Sequence, residues 1–109
     1  MVFHVGRATD HRFELIGELD MSTADQLFWE LEPALQDGSD IRLDASQLTF
    51  IDSSGIHSLA DLCNRCTNGG RIVLERPTKQ VEKVLELVDA ESFPNLVISH
   101  STKEPQGGS

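Results

Sequence analysis

The residues best suited to chemistry stand together as Asp52-Ser53-Ser54-Gly55, preceded by the apolar-rich run Leu48-Thr49-Phe50-Ile51 and followed by Ile56. Two hydroxyls and a carboxylate therefore fall where a buried strand gives way to a helix. A helix N-terminus offers unpaired amides and the positive end of the helix dipole, so a phosphoryl group on a serine there is expected to gain hydrogen bonds. The same residues also make an ordinary helix cap, and residue types alone leave both readings open. Hydrolytic use of Ser53 or Ser54 is disfavoured, because a nucleophile elbow needs G-x-S-x-G and a histidine base backed by an acid. A phosphate-binding G-x-x-x-x-G-K-[ST] loop is missing too, and Gly69-Gly70 opens a strand instead. The expectation is a protein that is not an enzyme.

Cys63 and Cys66 form a C-x-x-C, but they lie late in a helical pattern rather than at its start, where a helix N-terminus would stabilise a thiolate. Cys63 falls on the apolar stripe, so buried structural thiols are expected. His4, His11, His57 and His100 add no second ligand pair at zinc-binding spacing, and neither metal nor cofactor is expected. Trp29 sits off the apolar stripe of its helix, where it either anchors a partner or packs against a neighbouring strand.

The elements that position these residues follow from periodicity. Residues 2–6 and 11–19 alternate in the β manner around a polar turn at Ala8-Thr9-Asp10, which predicts a hairpin. Ala24, Leu27, Phe28, Leu31 and Leu35 form the stripe of an amphipathic helix. Ser22 or Thr23 is its expected cap, with Asp25 or Gln26 completing a capping box. Pro33 predicts a kink or an early stop. Ile41-Arg42-Leu43 reads as a strand, after which Leu48, Phe50 and Ile51 are expected to return to the core through a short loop. Ile56, Leu59, Ala60 and Cys63 mark a second helix ending before Gly69-Gly70. Ile72-Val73-Leu74 predicts a strand covered on both faces. Thr78 caps a third helix with the stripe Val81, Val84, Leu85 and Val88, and Leu96-Val97-Ile98 makes a last strand. The order ββαβαβαβ predicts an α/β fold: a mixed, mainly parallel sheet with helices packed on it.

At 109 residues the chain fits one domain, assigned to residues 1–99, with a polar tail over 100–109 expected to be disordered. Eighteen acids against nine bases leave a net charge of −9, which repels nucleic acid. Apolar runs are far shorter than the ~20 residues a membrane helix needs, and the N-terminus lacks the pattern of a secretion signal, so a cytoplasmic protein is expected.

Several linked segments resemble the STAS domain family, in particular its single-domain bacterial anti-sigma factor antagonists. Gly17-Glu18-Leu19-Asp20 is similar to the turn after the second strand of that family, and Thr23-Ala24 to the start of its first helix. Leu48 to Ile56 is similar to its phosphorylation loop almost letter for letter. Gly69 to Leu74 and Val81 to Leu87 resemble the strand and helix that close the fold, so the resemblance spans roughly residues 2–99. It implies partner switching: binding to an anti-sigma factor that is also a serine kinase releases a sigma factor, phosphorylation of Ser54 ends that binding, and a phosphatase restores it. Asp20, Asp52, Ser53, Ser54, Gly55 and His57 are the implied partner-binding residues. The resemblance also leaves open a STAS subunit of a lipid-transport or stressosome-like assembly, or small-ligand binding at the same loop. The sequence departs from the family's pattern at His57, where many members carry a small residue, at Pro33, and in the polar tail that replaces a final helix.

Overall fold

The computed structural model describes residues 3–66 and 69–100. Its elements are β1 (Phe3–Thr9), β2 (Arg12–Leu19), α1 (Ala24–Leu31), β3 (Ile41–Ile51), α2 (Ser53–Asn64), β4 (Ile72–Glu75), α3 (Lys79–Leu87) and β5 (Leu96–Ser99), the ββαβαβαβ order expected. One five-stranded sheet runs β1-β2-β3-β4-β5, so spatial order equals chain order. The β1–β2 hairpin is antiparallel and every later pairing is parallel. Parallel crossovers are right-handed, and crossovers that always step the same way along a sheet lay their helices on the same face. Leu27 and Leu31 of α1, Leu59 and Leu62 of α2, and Val81 and Leu85 of α3 accordingly join Phe13, Leu15, Leu43 and Leu74 of the sheet in one core.

Pro33 acts as a stop: α1 ends at Leu31, and the chain continues as a 3-10 turn over Glu32–Asp37, with the proline in its first turn. The lost amide and the ring clash forbid another α-turn, yet the tighter helix still delivers Leu35 to the core. Thr78 caps α3 as expected, accepting from the Val81 amide at 3.4 Å while its hydroxyl donates to the Leu48 carbonyl at 2.9 Å.

The third strand corrects the sequence reading. Residues 41–51 form one eleven-residue strand, not a three-residue strand followed by a loop. Its register against β2 slips twice, between the pairs Glu14–Asp44 and Ile16–Gln47 and between Gly17–Leu48 and Glu18–Phe50. Each slip inserts an extra residue and breaks the two-residue alternation by which a strand is recognised. Leu48 and Ile51 reach the core as expected, but Phe50 does not and is 46% exposed. Ile72, Val73 and Leu74 are all buried. Only Ile72 and Leu74 join the helix-covered core, whereas Val73 lies in register between Arg42 and Val97.

The face opposite the helices is polar. Glu75 meets Arg12 at 3.0 Å and Arg42 at 2.9 Å, and Asp44 pairs with Arg76. Of the polar tail, residues 101–109 lie outside the described residues.

Candidate functional site

Asp20 and Asp52 follow the adjacent C-terminal ends of the interior strands β2 and β3, at one end of the sheet. Leu19 and Ile51 are paired in register, and the Asp52 amide donates to the Leu19 carbonyl at 3.2 Å. The Asp20 carboxylate accepts from the Ser22 amide at 2.9 Å and the Ser22 hydroxyl at 2.7 Å. The Ser22 hydroxyl is the largest influence on this carboxyl and, with the Ser22 amide and Thr23, holds it below the ordinary aspartate range against a smaller opposing effect of desolvation. Thr23 does not cap α1 in the expected way. Its buried hydroxyl instead donates to the Glu18 carbonyl at 2.8 Å and accepts from the Asp20 amide at 2.9 Å, cross-bracing the turn that presents Asp20. The expected capping box is absent as well: Gln26 reaches the Phe3 carbonyl at 3.3 Å.

Asp52 is the N-cap of α2, its carboxylate accepting from the Ser54 amide at 2.9 Å and the Gly55 amide at 3.1 Å. The Ile56 amide bonds to the Asp52 carbonyl at 2.9 Å. These bonds revise the expectation that a phosphoryl group on Ser54 gains first-turn amides, because the cap carboxylate already holds two of them. A phosphate on Ser54 would share the turn with that carboxylate.

Ser53 and His57 are exposed, Ser54 is half-buried and Gly55 is buried. Gly55 serves the site through packing: a β-carbon there would lie 2.7 Å from both the Leu19 carbonyl oxygen and Ile51 Cγ1. Only a residue without a side chain lets α2 start so close to the two strand ends.

Ser54 and His57 also line one side of an open groove of about 620 Å³ between α1 and α2. Ala24, Asp25, Phe28 and Trp29 form the α1 side, and Ser58, Asp61 and Arg65 continue the other. The Ser58 hydroxyl donates to the Ala24 carbonyl at 3.3 Å and ties the two helices together. Trp29 is 67% exposed and stands edge-on to Phe28, with ring centroids 5.5 Å apart, so packing against a strand is ruled out for it. Arg65 lies 4.8 Å from the Phe28 ring centroid and pairs with Asp61 at 3.1 Å, which fixes the aromatic pair from the other side. Met21, beside Asp20, is 80% exposed.

Sequence reasoning missed Met21 as a surface residue and placed Phe50 in the core. The proximity of each to an acidic turn was the available signal. The structure brings Ser53, Ser54 and His57 together on α2 and sets Asp20 beside its start, the placement that the family resemblance implied for Asp20. The C-x-x-C pair stays apart from this site. Burial pushes the Cys63 thiol up to about 12, and Cys66 points its sulfur at the Leu62 carbonyl, 3.5 Å away. Among the described residues no three His, Cys, Asp or Glu side chains converge as metal ligands, and no helix is long and apolar enough to cross a membrane.

Comparison with known proteins places this arrangement. No curated protein sequence matches the chain. Among solved structures, the anti-sigma factor antagonist SpoIIAA in its unphosphorylated form is similar, with a TM-score of 0.69 and 22% identity over 90% of this chain and 88% of that one. A putative anti-sigma factor antagonist from Thermotoga maritima gives a TM-score of 0.69 and 23% identity, covering 87% of this chain and 85% of the other. The murine anion transporter Slc26a9 contains a similar region, with a TM-score of 0.61 and 19% identity over 85% of this chain and 17% of the transporter. At these identities the likeness speaks to the fold. The sequence itself matches the family model of the STAS domain over residues 7–103, nearly its whole length, and the chain belongs to the STAS domain family.

Proposed function

We propose that this protein is an anti-sigma factor antagonist: a binding module, not an enzyme, that engages an anti-sigma serine kinase and is released by phosphorylation of Ser54. The observation that carries this reading is the setting of Ser54, half-buried in the first turn of α2 beside the Asp52 cap carboxylate and at the mouth of the groove that holds Trp29. Exposed aromatic and methionine side chains near a polar centre are enriched where protein interfaces draw much of their affinity. Trp29, Met21 and Phe50 supply them here.

Phosphorylation adds about −1.5 to −2 charges to Ser54. Among the described residues neither Asp20 nor Asp52 meets a lysine or arginine, and Arg65 of the same groove is paired with Asp61, so the added charge joins two carboxylates that no cation offsets. In the free protein water solvates it. At a packed interface it must be desolvated beside Asp52, and a charge left buried and unpaired costs on the order of 2–5 kcal/mol. Loss of the partner then needs no refolding, and a phosphatase acting on Ser54 would restore binding.

The test uses the wild-type chain and Ser54→Asp as baits in a bacterial lysate, followed by ATP addition and mass spectrometry of the bait. The expected result is a histidine-kinase-like ATPase held by wild type and lost from Ser54→Asp, with phosphate on Ser54. Phosphate confined to Ser53, or an ATPase held equally by both baits, contradicts the proposal.

A further inference from the structure

At the far end of the sheet's last strand lies a titratable cluster with no part in the proposed site. His100, directly after β5, faces Glu82 of α3 with its Nδ1 2.6 Å from Oε2, and faces Glu91 with its Nε2 3.4 Å from Oε2. Glu91 belongs to the short 3-10 turn Ala90–Ser92 between α3 and β5. Glu86 and Asp89 line the same small cavity, together with Leu85 and Ile98. Two carboxylates thus face the imidazole directly, and two more, Glu86 and Asp89, line the cavity it shares.

An ionised carboxylate only accepts hydrogen bonds, and a neutral imidazole carries one N–H. Facing a carboxylate with both ring nitrogens is thus satisfied only when both are protonated. Neutral His100 keeps one of its two bonds and turns a lone pair toward the other glutamate.

We infer that His100 is a proton-operated clasp that fastens the C-terminal end of β5 to α3 and to the turn after it when the ring is doubly protonated, and lets go of one side when it is not. The strand it fastens has few other ties at its end, the Arg76 amide bonding to the Ser99 carbonyl at 2.8 Å. β5 is four residues long, lies at the edge of the sheet and is paired on one side alone, to β4. The surroundings favour the closed form: the hydrogen bond to Glu82 is the largest influence and, with Glu91, raises the ring above the ordinary histidine range against a smaller opposing effect of burial. With the folded value above the unfolded one, the stabilisation is fully present below about pH 6.5, the unfolded value, and is lost as pH rises through the folded value.

Two measurements on the intact chain test the clasp. In an NMR titration the His100 ring is expected to titrate above about 6.5, and in Glu82→Gln to move back toward that ordinary value. In thermal melts, wild type is expected to exceed His100→Gln by about 2–4 °C at pH 5.5, with the gap closing at pH 8.5. His4, His11 and His57 are common to both proteins, so the difference reports the change at His100. A His100 ring that titrates at or below the ordinary value and ignores Glu82→Gln overturns the inference. So does a melting gap equal at both pH values.

Discussion

Two regions of this molecule handle charge in opposite ways. On the open face of the sheet, Glu75 is held by Arg12 and Arg42, and Asp44 by Arg76, so acids and bases cancel within the face. At the strand ends, Asp20 and Asp52 are satisfied by the amides and hydroxyl of their own turns, and among the described residues no cation offsets them. Met21 and Phe50 stand exposed beside these turns and Trp29 in the adjoining groove. In the first region the charges are already paired with one another. The second combines fixed negative charge with uncovered apolar surface, which is where the proposed switch at Ser54 would act.

The largest expected effect concerns the packing that holds the second region together. Gly55→Val should drive a side chain into the Leu19 carbonyl and Ile51, costing about 3 kcal/mol in urea unfolding. Stability within a few tenths of wild type would show that α2 does not depend on this close approach. Trp29→Ala should next weaken partner affinity about 30-fold, a loss of about 2 kcal/mol, with the melting temperature unchanged, since the ring is exposed. Unchanged affinity would remove the groove from the binding surface. Asp52→Ala deletes the cap of α2 and should cost about 1 kcal/mol of stability, most of which Asp52→Asn retains.

The smallest effect separates the two regions by pH. Burial would raise the Asp44 carboxyl, but the Ser46 amide at 2.9 Å and the Arg76 guanidinium outweigh it and hold it below the ordinary aspartate range. A lowered folded value means that its stabilisation is present above the unfolded value of about 4 and is lost as pH falls through the folded value. The stability difference between wild type and Asp44→Asn should therefore be constant from pH 5 to 8 and shrink below pH 4, with partner affinity at neutral pH unchanged. A weaker complex with Asp44→Asn would mean that the sheet face also binds.

Much of this arrangement was legible in the residues, and the failures fall where a neighbouring element decides the outcome. Stripes at helical spacing located all three helices, and Pro33 marked where the first one stops. The Leu48-to-Ile56 motif located the end of β3 and the cap of α2, because both have recognisable residue types. A short loop was read after Leu43 where β3 continues, because two extra residues in β3 break the alternation, and that irregularity depends on pairing with β2. Phe50 was assigned to the core for the same reason: its face is set by a slip in register, not by its own hydrophobicity. Thr23 looked like a helix cap by type, but its hydroxyl serves the turn before the helix, a choice that only the position of the Glu18 carbonyl decides. The Asp20 bonds to Ser22 and the Arg65 contact with Phe28 leave no periodic trace at all.

The central claim is that charge on Ser54 acts at the interface and not on the fold. The most direct test is titration calorimetry of the captured kinase against unphosphorylated and stoichiometrically Ser54-phosphorylated protein, with Ser54→Ala as control and a thermal melt of each. Ser54→Ala should bind like wild type. The phosphorylated protein should melt within a few degrees of the unphosphorylated form yet bind at least ~30-fold more weakly, the effect of about 2 kcal/mol at the interface. Equal affinities for the two forms would contradict the account and leave Asp52-Ser53-Ser54-Gly55 as a helix cap alone.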